Sequence, residues 1–223
     1  MERRKICLNY KKGIKLKVFG KYGLFSDPIT RVGGEKSSYP VITYQAALGV
    51  VQGNYWKPSI NYAIDEVRVL NKIQTCSKNI RPINYHDDSN TLSIYQYLTN
   101  VAYEISAHFE FNQERLDLKN DWDEKKHYAI ACESIKKGGR RDVFLGTREC
   151  VAYISPVEVD EKGYYDDSGE IDLGVMFHSF DYPSQANNQT LSVRLWHAKM
   201  TNGIIKFPRP EDCQIIKKIR GGE

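Results

Sequence analysis

The sequence predicts an α+β protein. A ferredoxin-like (RRM-like) split βαβ domain spans residues 1–156, and a small β-rich C-terminal extension spans 157–223. Three observations carry this. Hydrophobic periodicity in the first part runs strand, helix, strand, strand, helix, strand, the order of a split βαβ unit. Between Val101 and Phe111 the apolar residues Tyr103, Ile105, Ala107, Phe109 and Phe111 alternate with Glu104, Ser106, His108 and Glu110, the pattern of a half-buried strand. After Ser155-Pro156 the helical periodicity disappears and only strand-like runs and turns remain.

The elements follow in chain order. Ile14, Leu16 and Val18 alternate with lysines, which predicts a first strand leaving at Phe25. Asp27-Pro28 and Gly33-Gly34 break regular structure. Thr43 is placed to cap a helix through Ala46, Ala47, Val50 and Val51 that stops near Gly53. Residues 59–71 read as a strand whose apolar phase slips at Asp65-Glu66, the mark of a bulge. Residues 72–99 read as polar and irregular, and His86-Asp87-Asp88 within them reads as a turn rather than a set of metal ligands. A second helix is expected from about Lys126–Tyr128 to Lys137. Ala131 with Ile135, and Tyr128 with Cys132, lie four apart on its packed face, and Gly138-Gly139 ends it. Val143–Leu145 and Cys150–Ile154 complete the first part. Beyond it come a turn at Gly163–Gly169 and strands at Ile171–His178, Thr190–Met200 and Ile204–Phe207, the last two joined by Thr201-Asn202-Gly203.

Composition bounds the function. The chain has 223 residues, 41% of them hydrophobic, enough for a core. The net charge of +4 is modest, but the basic residues cluster. Residues 1–17 hold seven basic side chains against one acidic one, Glu2. Lys136, Lys137, Arg140 and Arg141 form a second group, and Lys217, Lys218 and Arg220 a third. Clusters on a nearly balanced chain fit a polyanion footprint, while solvated tails are the plainer reading for the first and third. The 15 tyrosines suit strands, interfaces or base stacking. The five cysteines (Cys7, Cys76, Cys132, Cys150, Cys213) show no CxxC pair, so no zinc site or disulfide framework is predicted and a cytoplasmic location is expected. No apolar run is long enough to span a bilayer, so no membrane partner is expected.

The chemistry-bearing stretch is Asp123-Glu124-Lys125-Lys126-His127-Tyr128, with Lys136-Lys137-Gly138-Gly139-Arg140-Arg141 shortly after it. A histidine can move a proton near neutral pH. A lysine beside it can offset charge on phosphate oxygens, and a basic glycine loop can hold a nucleic-acid backbone. The bland alternative has His127 capping a helix and Tyr55 packing at a helix end.

Several segments resemble the CRISPR-associated Cas-five proteins of the type I-C (Dvulg) subtype. They are Phe19-Gly20-Lys21-Tyr22-Gly23-Leu24-Phe25, Tyr55-Trp56-Lys57-Pro58, Ala107-His108-Phe109-Glu110-Phe111, Lys126-His127-Tyr128, Gly138-Gly139-Arg140-Arg141-Asp142-Val143-Phe144-Leu145-Gly146, Val193-Arg194-Leu195-Trp196 and Phe207-Pro208-Arg209-Pro210-Glu211-Asp212-Cys213. In this order they cover about Lys15 to Cys213, leaving residues 1–14 outside. The resemblance implies an endoribonuclease that cuts precursor CRISPR RNA at the repeat hairpin and stays as a subunit of a type I-C interference complex. It implies no cofactor and no metal. It implies a tyrosine, a lysine and a histidine as catalytic residues, which map onto Tyr55, Lys126 and His127, with Lys125 as a rival for the lysine.

That set suits the reaction. RNA supplies its own nucleophile, the 2′-hydroxyl, so the products are a 2′,3′-cyclic phosphate and a 5′-hydroxyl. His127 is the general base or acid. Lys126 offsets phosphate charge. Tyr55, ordinarily titrating near pH ~10, is a positioning donor or the acid. Trp56, Lys57, Lys136, Lys137, Gly138, Gly139, Arg140 and Arg141 read as RNA contacts, with solvation the alternative for the two arginines. Two competing functions remain: a non-catalytic RNA-binding subunit capping the CRISPR RNA 5′ handle, and a metal-dependent DNA nuclease, against which the lack of a carboxylate–histidine cluster argues.

Overall fold

The computed structural model describes residues 13–27, 35–83, 89–182, 191–213 and 215–218. Gly33-Gly34, His86-Asp87-Asp88, the basic residues before Gly13 and Arg220 lie outside them, as do the side chains of Lys217 and Lys218. The described residues form a mixed α/β structure that is mostly antiparallel sheet. In chain order the elements are β1 (Gly13–Gly23), α1 (Tyr44–Asn54), β2 (Ile60–Val69), β3 (Thr75–Ile80), β4 (Ser93–Phe111), a 3-10 helix (Leu116–Asp121), α2 (Glu124–Lys136), β5 (Val143–Phe144), β6 (Val151–Ser155), β7 (Glu170–Asp181), β8 (Ser192–Thr201), β9 (Ile204–Lys206) and β10 (Ile215–Lys218). The strands are ordered β10-β8-β9-β2-β4-β1-β6-β5, with β3 on β4 and β7 on β8.

β1 and β4 are the centre of the sheet. Leu16 stands opposite Ile105, and Val18 opposite Tyr103. The alternation read in both strands places Ile14, Leu16, Val18, Tyr103, Ile105, Ala107 and Phe109 in the core, each at most 2% exposed. Burying a large apolar side chain of this kind contributes about 1.5–3 kcal/mol, so this two-strand stripe anchors the fold. The phase slip in the second strand is a register shift between Ile64 and Glu66 against β4. The turn after β8 carries Asn202 at φ 48° and Gly203 at φ 76°, the paired positive dihedrals of a tight hairpin. β9 then pairs with β2, so the C-terminal strands continue the same sheet.

Both helices pack on the core side. Thr43 caps α1, its hydroxyl accepting from the Ala46 amide, and Ala47, Val50 and Val51 are buried beneath it. α2 starts earlier than its periodicity suggested. Asp123 caps it by accepting from the Lys126 amide, and Ala131 and Ile135 face inward. The helices are tied together: Asn54 Nδ2 donates to the Ala131 carbonyl at 3.3 Å, and Ser134 Oγ donates to the Asn54 carbonyl at 2.7 Å.

The irregular reading of 72–99 is corrected. β3 and the first part of β4 form a hairpin arm with Thr75 opposite Leu98 and Ile80 opposite Ser93. No residue of β3 is buried, so it carries no apolar face that periodicity can reveal. Lysine–aromatic contacts accompany its ladder: Lys78 Nζ lies 3.4 Å from the Tyr22 ring centroid and 5.2 Å from that of Tyr97. β10 is likewise invisible to periodicity, because four residues beside a basic tail give no period.

Candidate active site

The tie between the two helices fixes the site. Tyr55 is the residue that closes α1, its amide still donating to the Val51 carbonyl at 3.2 Å. Pro58 follows, so the chain turns away and the tyrosine ring is left against α2. His127 sits in the first full turn of α2. Its ring is wholly buried and lies beside Phe109 and Phe111 of β4, at centroid distances of 6.1 and 6.3 Å. The Tyr55 hydroxyl and His127 Nδ1 are 2.8 Å apart.

The proton positions follow from the partners. His127 Nε2 lies 2.8 Å from the backbone carbonyl oxygen of Asp121, which can only accept. Nε2 therefore carries a hydrogen, and in the neutral ring Nδ1 is the acceptor to which the Tyr55 hydroxyl donates. Burial pushes the Tyr55 hydroxyl above its ordinary range, the Asp121 carboxylate adds to this, and the cations Arg140 and Lys126 oppose it.

Asp121, the last residue of the 3-10 helix, organises the outer part of the site. Its Oδ1 lies 2.5 Å from Lys126 Nζ and 3.5 Å from Lys57 Nζ. Its Oδ2 accepts from Ser59 Oγ at 2.7 Å and lies 3.5 Å from His127 Nε2. The Lys126 contact first, then Ser59, hold this carboxyl well below the usual carboxylate range. The same pairing raises Lys126. Beside it, Trp122 stacks on Phe111 with ring centroids 5.3 Å apart and planes 10° from parallel, closing the aromatic wall behind His127.

The predicted site residues therefore divide. Tyr55, Lys126, His127 and Lys57 come together around Asp121. Lys125 is exposed and makes none of the contacts of Lys126 with Asp121. Gly138 and Gly139 hold φ of 86° and 95°, a turn that ends α2 and brings Arg140 back over the Tyr55 ring, 5.0 Å from its centroid. Trp56 is 46% exposed at the rim. Lys136 and Lys137 reach Glu133 at 3.4 and 3.9 Å on the outer face of α2, and Arg141 is exposed. His108 lies apart, paired with Asp65 at 2.7 Å.

Asp121 and Ser59 were not predicted. Neither stands in a pattern that singles it out, because they are 62 residues apart and meet only when β4 brings the 3-10 helix back to the end of α1. A groove of about 910 Å³ lies on the other face of the sheet, lined by outward-facing residues such as Lys17, Phe19 and Tyr153, and none of Tyr55, Lys126 or His127 borders it. Among the described residues no group of three or more His, Cys, Asp or Glu side chains is arranged to hold a metal ion, no disulfide joins the cysteines, and no helix is long and apolar enough to cross a membrane.

Comparison with known proteins bears on this geometry. A family model described as CRISPR-associated protein (Cas_Cas5) matches residues 13–208. The chain is 28% identical over 235 residues to the CRISPR pre-crRNA endoribonuclease Cas5d of Thermus thermophilus, covering 94% of this chain and 96% of that one. It is 26% identical over 222 residues to the protein of the same name from Mannheimia succiniciproducens, covering 87% and 94%. Among solved structures it is similar to a functionally uncharacterized protein from Streptococcus mutans, with TM-score 0.78, 37% identity and coverage of 93% and 97%. A structure described as a CRISPR-associated protein matches with TM-score 0.75, 36% identity and the same coverage.

Proposed function

We propose that this chain, which belongs to the CRISPR-associated Cas5 family, is a metal-independent endoribonuclease that cleaves precursor CRISPR RNA at the repeat hairpin. The single observation that carries the reading is the buried Tyr55–His127 hydrogen bond with Lys126 beside it. The names of the two curated relatives, both pre-crRNA endoribonucleases, support it. After cleavage the protein stays with its product as a subunit of a type I-C interference complex. Its RNA substrate sets the work in the cytoplasm.

The reaction needs three things from the protein: a group to take the 2′-hydroxyl proton, charge to offset the phosphorane, and a proton for the leaving oxygen. The 2′-oxygen bonds to phosphorus, the bond from phosphorus to the 5′-oxygen breaks, and the departing oxygen takes up a proton. No water is consumed, so the products are a 2′,3′-cyclic phosphate and a 5′-hydroxyl. Tyr55 and His127 form the proton-transfer pair, with His127 Nδ1 positioned to receive the phenolic proton. Lys126, with Arg140 over the tyrosine ring, supplies positive charge where the phosphorane develops. Trp56, Lys57, Gly138, Gly139, Arg141 and the two lysines at the end of α2 serve the RNA around the cut.

For the fold we propose the finer assignment as well. The order β2-β4-β1-β6, with α1 after β1 and α2 after β4, supports a ferredoxin-like split βαβ unit over 1–156. Residues 157–223 are then its β-rich extension, joined through β9 and β2.

One observation favours a second reading, a non-catalytic subunit that holds the CRISPR RNA 5′ handle: Tyr55 and His127 are both closed to solvent here. Incubating the purified protein with a repeat RNA and resolving the products by electrophoresis separates the two. One internal cut is expected, and tight binding without a cut would support the second reading.

A further inference from the structure

We propose that the Asp121 carboxylate occupies the seat of the scissile phosphate, so that Lys57, Ser59 and Lys126 are the groups that bind that phosphate and Asp121 leaves as RNA enters. This rests on the endoribonuclease reading of the same site. Two ammonium groups and a hydroxyl converge on one carboxylate from separate parts of the chain: Lys57 and Ser59 from the segment after α1, Lys126 from α2. A phosphodiester has the carboxylate's charge of minus one and presents two non-bridging oxygens, so it can replace Asp121 at each of these partners. Both lysine side chains are over 40% exposed, at the mouth of the site, where RNA can approach them.

The position suits the chemistry. The carboxylate lies 3.5 Å from His127 Nε2, and the Tyr55 hydroxyl holds the other nitrogen of the same ring. A phosphate in this seat therefore lies against the proton-transfer pair. The backbone carbonyl of the same residue, Asp121, caps His127 Nε2. One local movement thus frees the two lysines and uncovers the imidazole, which accounts for a reactive histidine closed to solvent. The 3-10 helix that carries Asp121 is suited to such a movement, because none of its residues is buried and Leu116 is 64% exposed.

The test is binding of a 2′-O-methyl repeat RNA, which keeps A-form geometry and has no nucleophile, so the readout is independent of cleavage. Asp121→Asn removes the competing charge and keeps an acceptor for Ser59. It is expected to tighten binding about three- to fivefold at low salt, the upper end of what one exposed ion pair contributes. Asp117→Asn, on the same 3-10 helix but paired with Arg115, is the control for general charge and is expected to change binding less than twofold. In a Lys126→Ala background the Asp121→Asn gain is expected to shrink to the part that comes from Lys57, because the nearer of the two lysines that Asp121 blocks is gone. Unchanged or weaker binding by Asp121→Asn, or an equal gain from Asp117→Asn, would overturn the proposal and make Asp121 a buttress for the lysines. Failure of the wild-type protein to cut unmodified repeat RNA would instead count against the endoribonuclease reading and leave this binding result legible by itself.

Discussion

Tyr55→Phe removes one oxygen from the centre of the site and leaves its shape. The ring stays beneath Arg140 and beside His127. What disappears is the 2.8 Å hydrogen bond to His127 Nδ1. That nitrogen is buried in a ring with no exposure, so the variant leaves an unsatisfied acceptor, at a cost of about 1–3 kcal/mol. For a chain of this length each kcal/mol lowers the melting temperature by about 2–4 °C, so a fall of about 2–12 °C is expected and the protein remains folded at 25 °C. Cleavage is affected much more. Loss of a proton-transfer group costs about 10²–10⁴ in rate, while RNA affinity should stay within a few fold, because Lys57, Lys126 and the arginines are untouched. Single-turnover cleavage of repeat RNA at saturating protein, with thermal melting of the same preparation, measures both effects. A variant that melts lower but cuts at the wild-type rate would rule out a proton-transfer role for Tyr55 and make its hydroxyl only structural. By the same argument His127→Ala is a poorer probe. It opens a cavity among Tyr55, Phe109 and Phe111 and leaves the tyrosine hydroxyl unpaired, so loss of activity could not be separated from loss of packing.

Arg140→Ala combined with Arg141→Ala is expected to weaken RNA binding and lower the salt dependence by about 0.7 for each phosphate the arginines no longer neutralise, with a slower bound-state rate that traces to Arg140 alone. A filter-binding series across salt, and the two single variants, check this. Stability should fall in mild acid because of His178. Burial first, then the Arg194 charge, lowers its pKa from 6.5 to about 4, against a hydrogen bond to the Pro208 carbonyl. The unfolded chain therefore takes up a proton below about pH 6.5 that the folded chain refuses until about pH 4. Stability is full above that window and declines through it, by about 3 kcal/mol in total at ~1.4 kcal/mol per pH unit. Melting temperatures from pH 7 to pH 4 should fall, and His178→Phe, which keeps an aromatic ring against Tyr44, should flatten the His178 part of the slope despite a lower starting stability.

The parts of the fold that were legible in the sequence are those where local chemistry and tertiary packing agree. Ile14, Leu16 and Val18 alternate because one face of β1 is core. Thr43 precedes an apolar helical run and caps it. The slip at Asp65-Glu66 is a real register shift, and Asn202-Gly203 is a real tight turn. The β3 arm was not legible, since its strand identity lies in backbone pairing to β4 and not in any buried face. The site divides the same way. The basic stretch and Gly138-Gly139 stand out by composition and turn chemistry. The pairing of Tyr55 with His127, 72 residues apart, follows from the resemblance and not from spacing. Asp121 looks like any acid in a polar connection, and its importance arises only because Lys57, Ser59, Lys126 and His127 all meet it in three dimensions.

On the proposed reading these side chains cut RNA with its own 2′-hydroxyl. The direct measurement is end-group analysis of repeat RNA cleaved by the purified protein in EDTA. Cleavage undiminished by the chelator, leaving a 2′,3′-cyclic phosphate and a 5′-hydroxyl, is the predicted result. Cleavage that stops in EDTA and returns with magnesium, or products that carry a 3′-hydroxyl and a 5′-phosphate, would contradict it.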